Sequence, residues 1–146
     1  MSFTLFTLSW AFAITLIALL HAAWGVKIWW PIKDEKALAR AVVGARDIEE
    51  MPGAFACLSV AAALFVGVAA AFLSLPTEAH EPVRAAAGRL TVWAFSLVFI
   101  FRGLIGFTAF WARLAPEEPF RRLNRTYYSP LCLLLGLGGC VIAFGG

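Results

Sequence analysis

Four apolar runs separate three short stretches that hold almost all the charge, and this pattern leaves few folds open. The runs extend from about Phe3 to Ile28, Gly53 to Leu75, Leu90 to Ala112 and Pro130 to Gly146. At about 1.5 Å rise per residue the first three reach roughly 33 to 39 Å as helices, against a bilayer core of about 30 Å. The fourth reaches only about 26 Å. Hydrocarbon offers no partner to a bare peptide group, so each run must satisfy its own backbone, which a helix does. With 62% hydrophobic and 14% charged residues and a mean hydropathy of +0.83, there is too little polar surface to cover a water-soluble core. The expected fold is all-α: one domain, a membrane-embedded four-helix bundle with short loops. Without repeats or a Gly/Ser-rich linker, a second domain is not expected.

The first run lacks the basic start and short apolar core of a cleaved signal, since no Lys or Arg precedes Lys27. It is expected to be retained. The fourth run gains help at its start from the interfacial aromatics Tyr127 and Tyr128, with Ser129 as N-cap and Pro130 at the first helical position.

Orientation follows from the basic residues. Lys27, Lys33, Lys36, Arg40 and Arg46 lie in the first loop and Arg113, Arg121, Arg122 and Arg125 in the third, against Arg84 and Arg89 in the second. The positive-inside rule then predicts a bacterial inner-membrane protein with loops one and three cytoplasmic and both termini outside. The net charge of +3 is explained by this topology and by anionic lipid headgroups, and no nucleic-acid partner is implied. Within the first loop, Asp34 to Met51 interleaves Leu38, Val42, Val43, Ile48 and Met51 with charges of both signs. That pattern predicts a short surface helix broken near Gly44, the alternative being an irregular loop.

Small residues recur at packing intervals in the first helix (Ala11, Ala18, Gly25), the second (Ser59, Ala63, Gly67, Ala70, Ser74) and the fourth (Cys132, Gly136, Gly139, Ala143). They allow close helix contacts in lipid. The partners expected are membrane lipids and, through such faces, a second copy or a larger membrane complex. Cys57, Cys132 and Cys140 all fall inside helices without a C-x-x-C pair, and read as packing residues. The two histidines, His21 and His80, sit in different regions and supply neither a zinc spacing nor a haem pair. No cofactor can be named.

What chemistry there is lies in sparse polar groups at membrane depth. Counted from the expected cytoplasmic boundary, His21 is about 10 Å and Arg102 about 15 Å deep. Tyr127, Tyr128 and Ser129 sit at that boundary, Trp24 is one turn from His21, and Gly106 is one turn from Arg102. The candidate ligand site is therefore His21, Trp24, Arg102, Tyr127, Tyr128 and Ser129, a polar pocket open to the cytoplasmic side. The alternative is that His21 bonds a backbone carbonyl and Arg102 snorkels to headgroups. A central arginine costs roughly 2.5 to 3.5 kcal/mol, and only Glu49, Glu50, Glu117 or Glu118 could fold inward to offset it.

Several motifs carry a resemblance. His21–Trp24 (H-A-A-W), Val42–Gly44 (V-V-G), Met51–Pro52, Phe101–Gly106 (F-R-G-L-I-G) and above all Arg125–Cys132 (R-T-Y-Y-S-P-L-C) resemble a family of small four-helix bacterial membrane proteins of unknown function, the DUF3995 type. The likeness covers nearly the whole chain. It implies the same fold and draws attention to His21, Trp24, Arg102, Tyr128, Ser129 and Pro130, but brings no activity. Arg46, Glu49, Glu50, Pro52 and Arg102 are also similar to membrane-associated glutathione-dependent enzymes, although the Asn expected between the loop Arg and Glu is absent. Three function classes follow: a non-catalytic binding or accessory protein holding a lipid- or quinone-like amphiphile or packing in a complex, an enzyme acting on an amphiphile, and a small transporter. With no intramembrane carboxylate to act as base, binding is favoured over chemistry.

Overall fold

A computed structural model of the protein describes residues 2–75 and 82–145. His80, Glu78 and Glu81, which the sequence puts in the second loop, lie outside them. Helix α1 (Phe3–Gly25) is followed by the short α2 (Glu35–Val42), then α3 (Ala54–Leu73), α4 (Pro82–Ile105), α5 (Ala109–Leu114) and α6 (Phe120–Leu123). A π-helical turn, Asn124–Tyr128, joins α6 directly to α7 (Ser129–Gly145). The described residues contain no strand, and four segments are long and apolar enough to span a membrane. The all-α, four-span expectation holds.

Two boundaries differ from expectation, each for a local reason. The third span was expected over about 90–112 but occupies Pro82–Ile105. Its start is set by Pro82 at the first helical position and the Ala-rich turn after it, both favourable to a helix. Its end is set by Thr108, whose hydroxyl donates to the Ile105 carbonyl at 2.6 Å and accepts from the Trp111 N–H at 3.2 Å. One side chain thus closes α4 and caps α5. The fourth span was expected to begin at Pro130, with Ser129 as N-cap. It begins instead at Phe120 and runs for 26 residues. Glu118 Oε2 accepts from the Arg122 N–H at 3.2 Å and marks its start. Pro130 then sits inside a continuous helical ribbon, where its missing N–H and its ring would break a regular α-turn. Widening the preceding turn accommodates it: the Ser129 N–H reaches back five residues to the Asn124 carbonyl.

The spans form a closed ring in which α1 packs on α3, α3 on α4, α4 on α7 and α7 on α1. Trp10, Ala11, Ile14, Ala18, Leu64, Ala70, Ala71, Val92, Leu135 and Ile142 form the core. Only 22 to 33% of each span's most apolar window is buried within the chain, and Phe12, Phe55, Leu134 and Phe144 are 65 to 87% exposed. Such a surface requires lipid as its solvent. The small residues foreseen on the last span are used internally: a Cβ on Gly136 would meet the Ser96 carbonyl at 2.9 Å, and one on Gly139 would overlap Ser96 Oγ. Trp10 Nε1 donates to the Leu135 carbonyl at 2.7 Å and ties α1 to α7.

At one end of the bundle the first and third loops are joined. Asp34 caps α2 by accepting from Ala37 N–H at 2.7 Å, and α2 buries Leu38 and Ala39 against Trp24, Met51 and Cys57. This is the surface helix foreseen in the first loop, and it ends just before Gly44 at φ +68°. A side chain at Gly44 would be strained by that φ and would also overlap Phe120. Arg40 pairs with Glu117 at 2.7 Å, the Glu117 N–H donates to the Gly44 carbonyl at 3.1 Å, and Tyr128 donates to the Ala41 carbonyl at 3.1 Å. Lys36 pairs with Glu49 at 2.6 Å; this hydrogen bond and the charge behind it hold the Glu49 carboxyl below its ordinary range. Loops one and three therefore share one face of the bundle.

Candidate functional site

The polar centre of the molecule is built where α4 ends. A helix leaves its last carbonyls without intrahelical donors, and Asn124 answers this: its Nδ2 donates to the Gly106 carbonyl at 2.8 Å. Its Oδ1 accepts from Arg102 Nη2 at 2.9 Å and from Ser129 Oγ at 3.2 Å. Asn124 and Ser129 are 2% and 0% exposed. The π turn makes the arrangement possible, because in its register residues five apart lie above one another, which brings Ser129 under Asn124. Gly106 makes it close. A Cβ there would overlap Ser129 Oγ and approach Arg102 Nη1 to 2.8 Å and Asn124 Nδ2 to 3.1 Å.

Arg102 lies in the last turn of α4, about 5 Å from its end by helical rise. The expected span ended at about Ala112, whereas α4 ends at Ile105. There the helix dipole favours a cation. Its guanidinium lies 4.6 Å over the Trp111 ring, a contact worth about 0.5 to 2 kcal/mol. None of the acidic side chains considered for Arg102 meets it among the described residues. Glu117 holds Arg40, Glu118 caps α6 and Glu49 holds Lys36. Of the residues that resemble the glutathione-dependent enzymes, Glu49 is engaged with Lys36 and Arg102 with Asn124.

Beside this centre is a cavity of about 290 Å³. Gly106, Trp111, Phe120, Arg121, Asn124 and Arg125 are among the residues that line it. Arg121, Asn124 and Arg125 are three and four residues apart along α6 and the π turn, so they share one face of the ribbon. Two buried donors at this place, Arg102 Nη1 and Trp111 Nε1, have no protein acceptor. Unpaired donors shielded from water are costly, and these two belong to side chains that stack on each other. The lining offers no carboxylate, imidazole or thiol among the described residues. No cluster of three His, Cys, Asp or Glu that could hold a metal occurs among them either.

Of the six residues singled out from sequence, the structure joins two, Arg102 and Ser129, through Asn124. His21 turns back on its own helix, where Nδ1 donates to the Ile17 carbonyl at 2.8 Å and the ring lies 5.0 Å from Trp24. Trp24 is buried with α2 and donates from Nε1 to the Trp30 carbonyl at 2.8 Å. Tyr128 reaches α2 and packs on Phe120 at 5.9 Å, and Tyr127 stands 63% exposed on the outer face. Asn124 and Trp111 were missed. A signal existed in the R-x-x-N-R spacing of Arg121 to Arg125, but it has meaning only on a helix, and that stretch reads as a loop.

Comparison with curated proteins and with solved structures finds no match. One family does match: the description "Protein of unknown function (DUF3995)" covers residues 14–138, most of the chain and every element from mid-α1 to mid-α7, and the chain belongs to that family.

Proposed function

We propose that this multi-pass membrane protein is a non-catalytic binding or accessory protein of the bacterial inner membrane that holds the polar head of an amphiphile in the cavity beside Asn124. The observation that carries the reading is the pair of buried, acceptor-less donors, Arg102 Nη1 and Trp111 Nε1, next to a cavity of headgroup size with two arginines on its wall. A lipid- or quinone-like molecule brings oxygen acceptors to such donors, and its tail lies along the exposed Phe107, Phe110 and Leu114. The lining holds no carboxylate, imidazole or thiol among the described residues, and the hydroxyl of its Thr108 is committed to the Ile105 carbonyl and the Trp111 N–H, which supports retention over chemistry. The excess of basic residues on the face of loops one and three supports a cytoplasmic placement of the cavity.

The test is purification of the full chain in a mild detergent followed by mass spectrometry of the co-purifying small molecules. About one amphiphile per chain is expected, reduced when Trp111→Phe removes the indole donor. A chain that retains no amphiphile while remaining folded would refute the reading.

A further inference from the structure

Resting on that reading, we propose that the group taken by the cavity is a phosphate ester, gripped between Arg121 and Arg125 and reached by Trp111 Nε1. Charge is the first argument. Arg121 and Arg125 line the cavity as exposed side chains and neither is in an ion pair among the described residues. The acidic residues nearest in sequence, Glu117 and Glu118, are engaged with Arg40 and the Arg122 N–H. The wall therefore carries two uncompensated guanidinium charges, with that of Arg102 behind Gly106. An uncharged quinone head would leave all of this unbalanced.

Geometry is the second argument. A guanidinium presents a planar fork that meets phosphate oxygens in pairs, and two forks a helical turn apart approach one group from two sides. A tetrahedral phosphate ester presents its oxygens in three dimensions, so two forks and the indole N–H can meet it from different directions, whereas the acceptor directions of a carboxylate lie in one plane. The exposed apolar flank of Phe107 at 45%, Phe110 at 60% and Leu114 at 57% fits a lipid as the bearer of that phosphate. A soluble phosphate would have no use for it.

The experiment titrates the full chain in detergent with phosphatidylglycerol, with diacylglycerol of the same acyl chains, and with inorganic phosphate, read by native mass spectrometry and tryptophan fluorescence. Phosphatidylglycerol should bind, and the paired variant Arg121→Gln/Arg125→Gln should weaken it about tenfold or more. The charge-matched control Arg46→Gln/Arg113→Gln, on the same face but away from the cavity wall, should change it less than about twofold. Equal losses in both pairs would reduce the effect to diffuse surface charge and overturn the inference. Diacylglycerol binding as tightly as phosphatidylglycerol would overturn the phosphate assignment and leave the amphiphile reading intact. Inorganic phosphate binding as tightly as the lipid, and lost in the cavity variant, would support the phosphate assignment and overturn the amphiphile reading. Binding of none of the three would end the phosphate inference, while the co-purification experiment judges the amphiphile reading separately.

Discussion

Replacing Asn124 by Ala removes at one stroke the acceptor of Arg102 Nη2, the acceptor of Ser129 Oγ and the donor to the Gly106 carbonyl. The bond to the guanidinium is charge-assisted and is worth about 1.5 to 3 kcal/mol. Neutral side-chain bonds in membrane proteins average only about 0.6 kcal/mol in double-mutant cycles. Together these give an expected loss of about 3 to 4 kcal/mol, most of it from the arginine left without its partner. The assay is reversible unfolding in mixed micelles of increasing dodecyl sulfate content, followed by tryptophan fluorescence and helicity. Combining Asn124→Ala with Ser129→Ala should show a coupling of about 0.5 kcal/mol or more, since each removes the same bond. Asn124→Asp sharpens the test, because it keeps an acceptor for Arg102 and sets a carboxylate oxygen against the Gly106 carbonyl. If the Arg102 bond dominates, Asp should recover much of the loss. A loss for Asn124→Ala below about 1 kcal/mol, or strict additivity with Ser129→Ala, would show that the network does not hold α4 to the π turn.

Gly106→Ala should destabilise the same assembly by about 1 to 3 kcal/mol, the usual cost of overpacking, because its methyl would enter the space of Ser129 Oγ; thermal melting in detergent reads it. Arg102→Lys should cost about 1 to 2 kcal/mol and lower amphiphile retention, since an ammonium can neither fork nor stack flat on Trp111; full tolerance of Lys would favour simple snorkelling. His21→Ala and Tyr128→Phe should be additive within about 0.5 kcal/mol, as one bonds Ile17 and the other Ala41; coupling between them would contradict the separation of the two clusters. Cysteines placed at Lys36 and Glu118 should label from the same side of the membrane, the cytoplasmic one under the proposed orientation, while a reporter at the C-terminus should be external.

The spans were legible because twenty apolar residues in a row admit few interpretations, and α2 was legible because apolar and charged residues alternate at helical spacing from Asp34 to Val42. Arg102 and Ser129 could be singled out by polarity alone. What sequence could not reveal was their link, since Asn124 stands among arginines in a stretch whose charge suggests a loop. Hydropathy also misplaced α4. It counts Phe107, Phe110 and Trp111 as membrane interior, whereas α4 ends at Ile105, Phe107 lies in the turn after it, and Thr108 caps a separate helix that holds Phe110 and Trp111. The converse error at the other end came from Arg84 and Arg89, which look like loop charges but sit on an Ala-rich helical turn. His21 and Trp24 were grouped with Arg102 by depth, a coordinate that says nothing about which side of a ring of helices a residue occupies.

The arrangement around Pro130 explains why an arginine can be kept here. A regular α-helix from Phe120 onward would place residues three and four apart on one face, so Asn124 and Ser129, five apart, would diverge by about 140°. The proline forbids that regularity, and the π turn it favours realigns them toward α4. Once aligned, Asn124 can cap the end of α4 and accept from Arg102 in the same plane, while Ser129 fills its remaining acceptor direction. Gly106 must then be without a side chain, and Arg102 must lie in the last turn and not higher. Five residue choices, Pro130, Asn124, Ser129, Gly106 and Arg102, are therefore conditions of one another. The guanidinium that results has one nitrogen committed to Asn124, a face committed to Trp111 and a second nitrogen, Nη1, with no protein acceptor. If the network served only to hold the helices together, a leucine–leucine contact would do so without leaving a buried donor unpaired. The proposed phosphate ester would bring an anionic oxygen to that unpaired nitrogen.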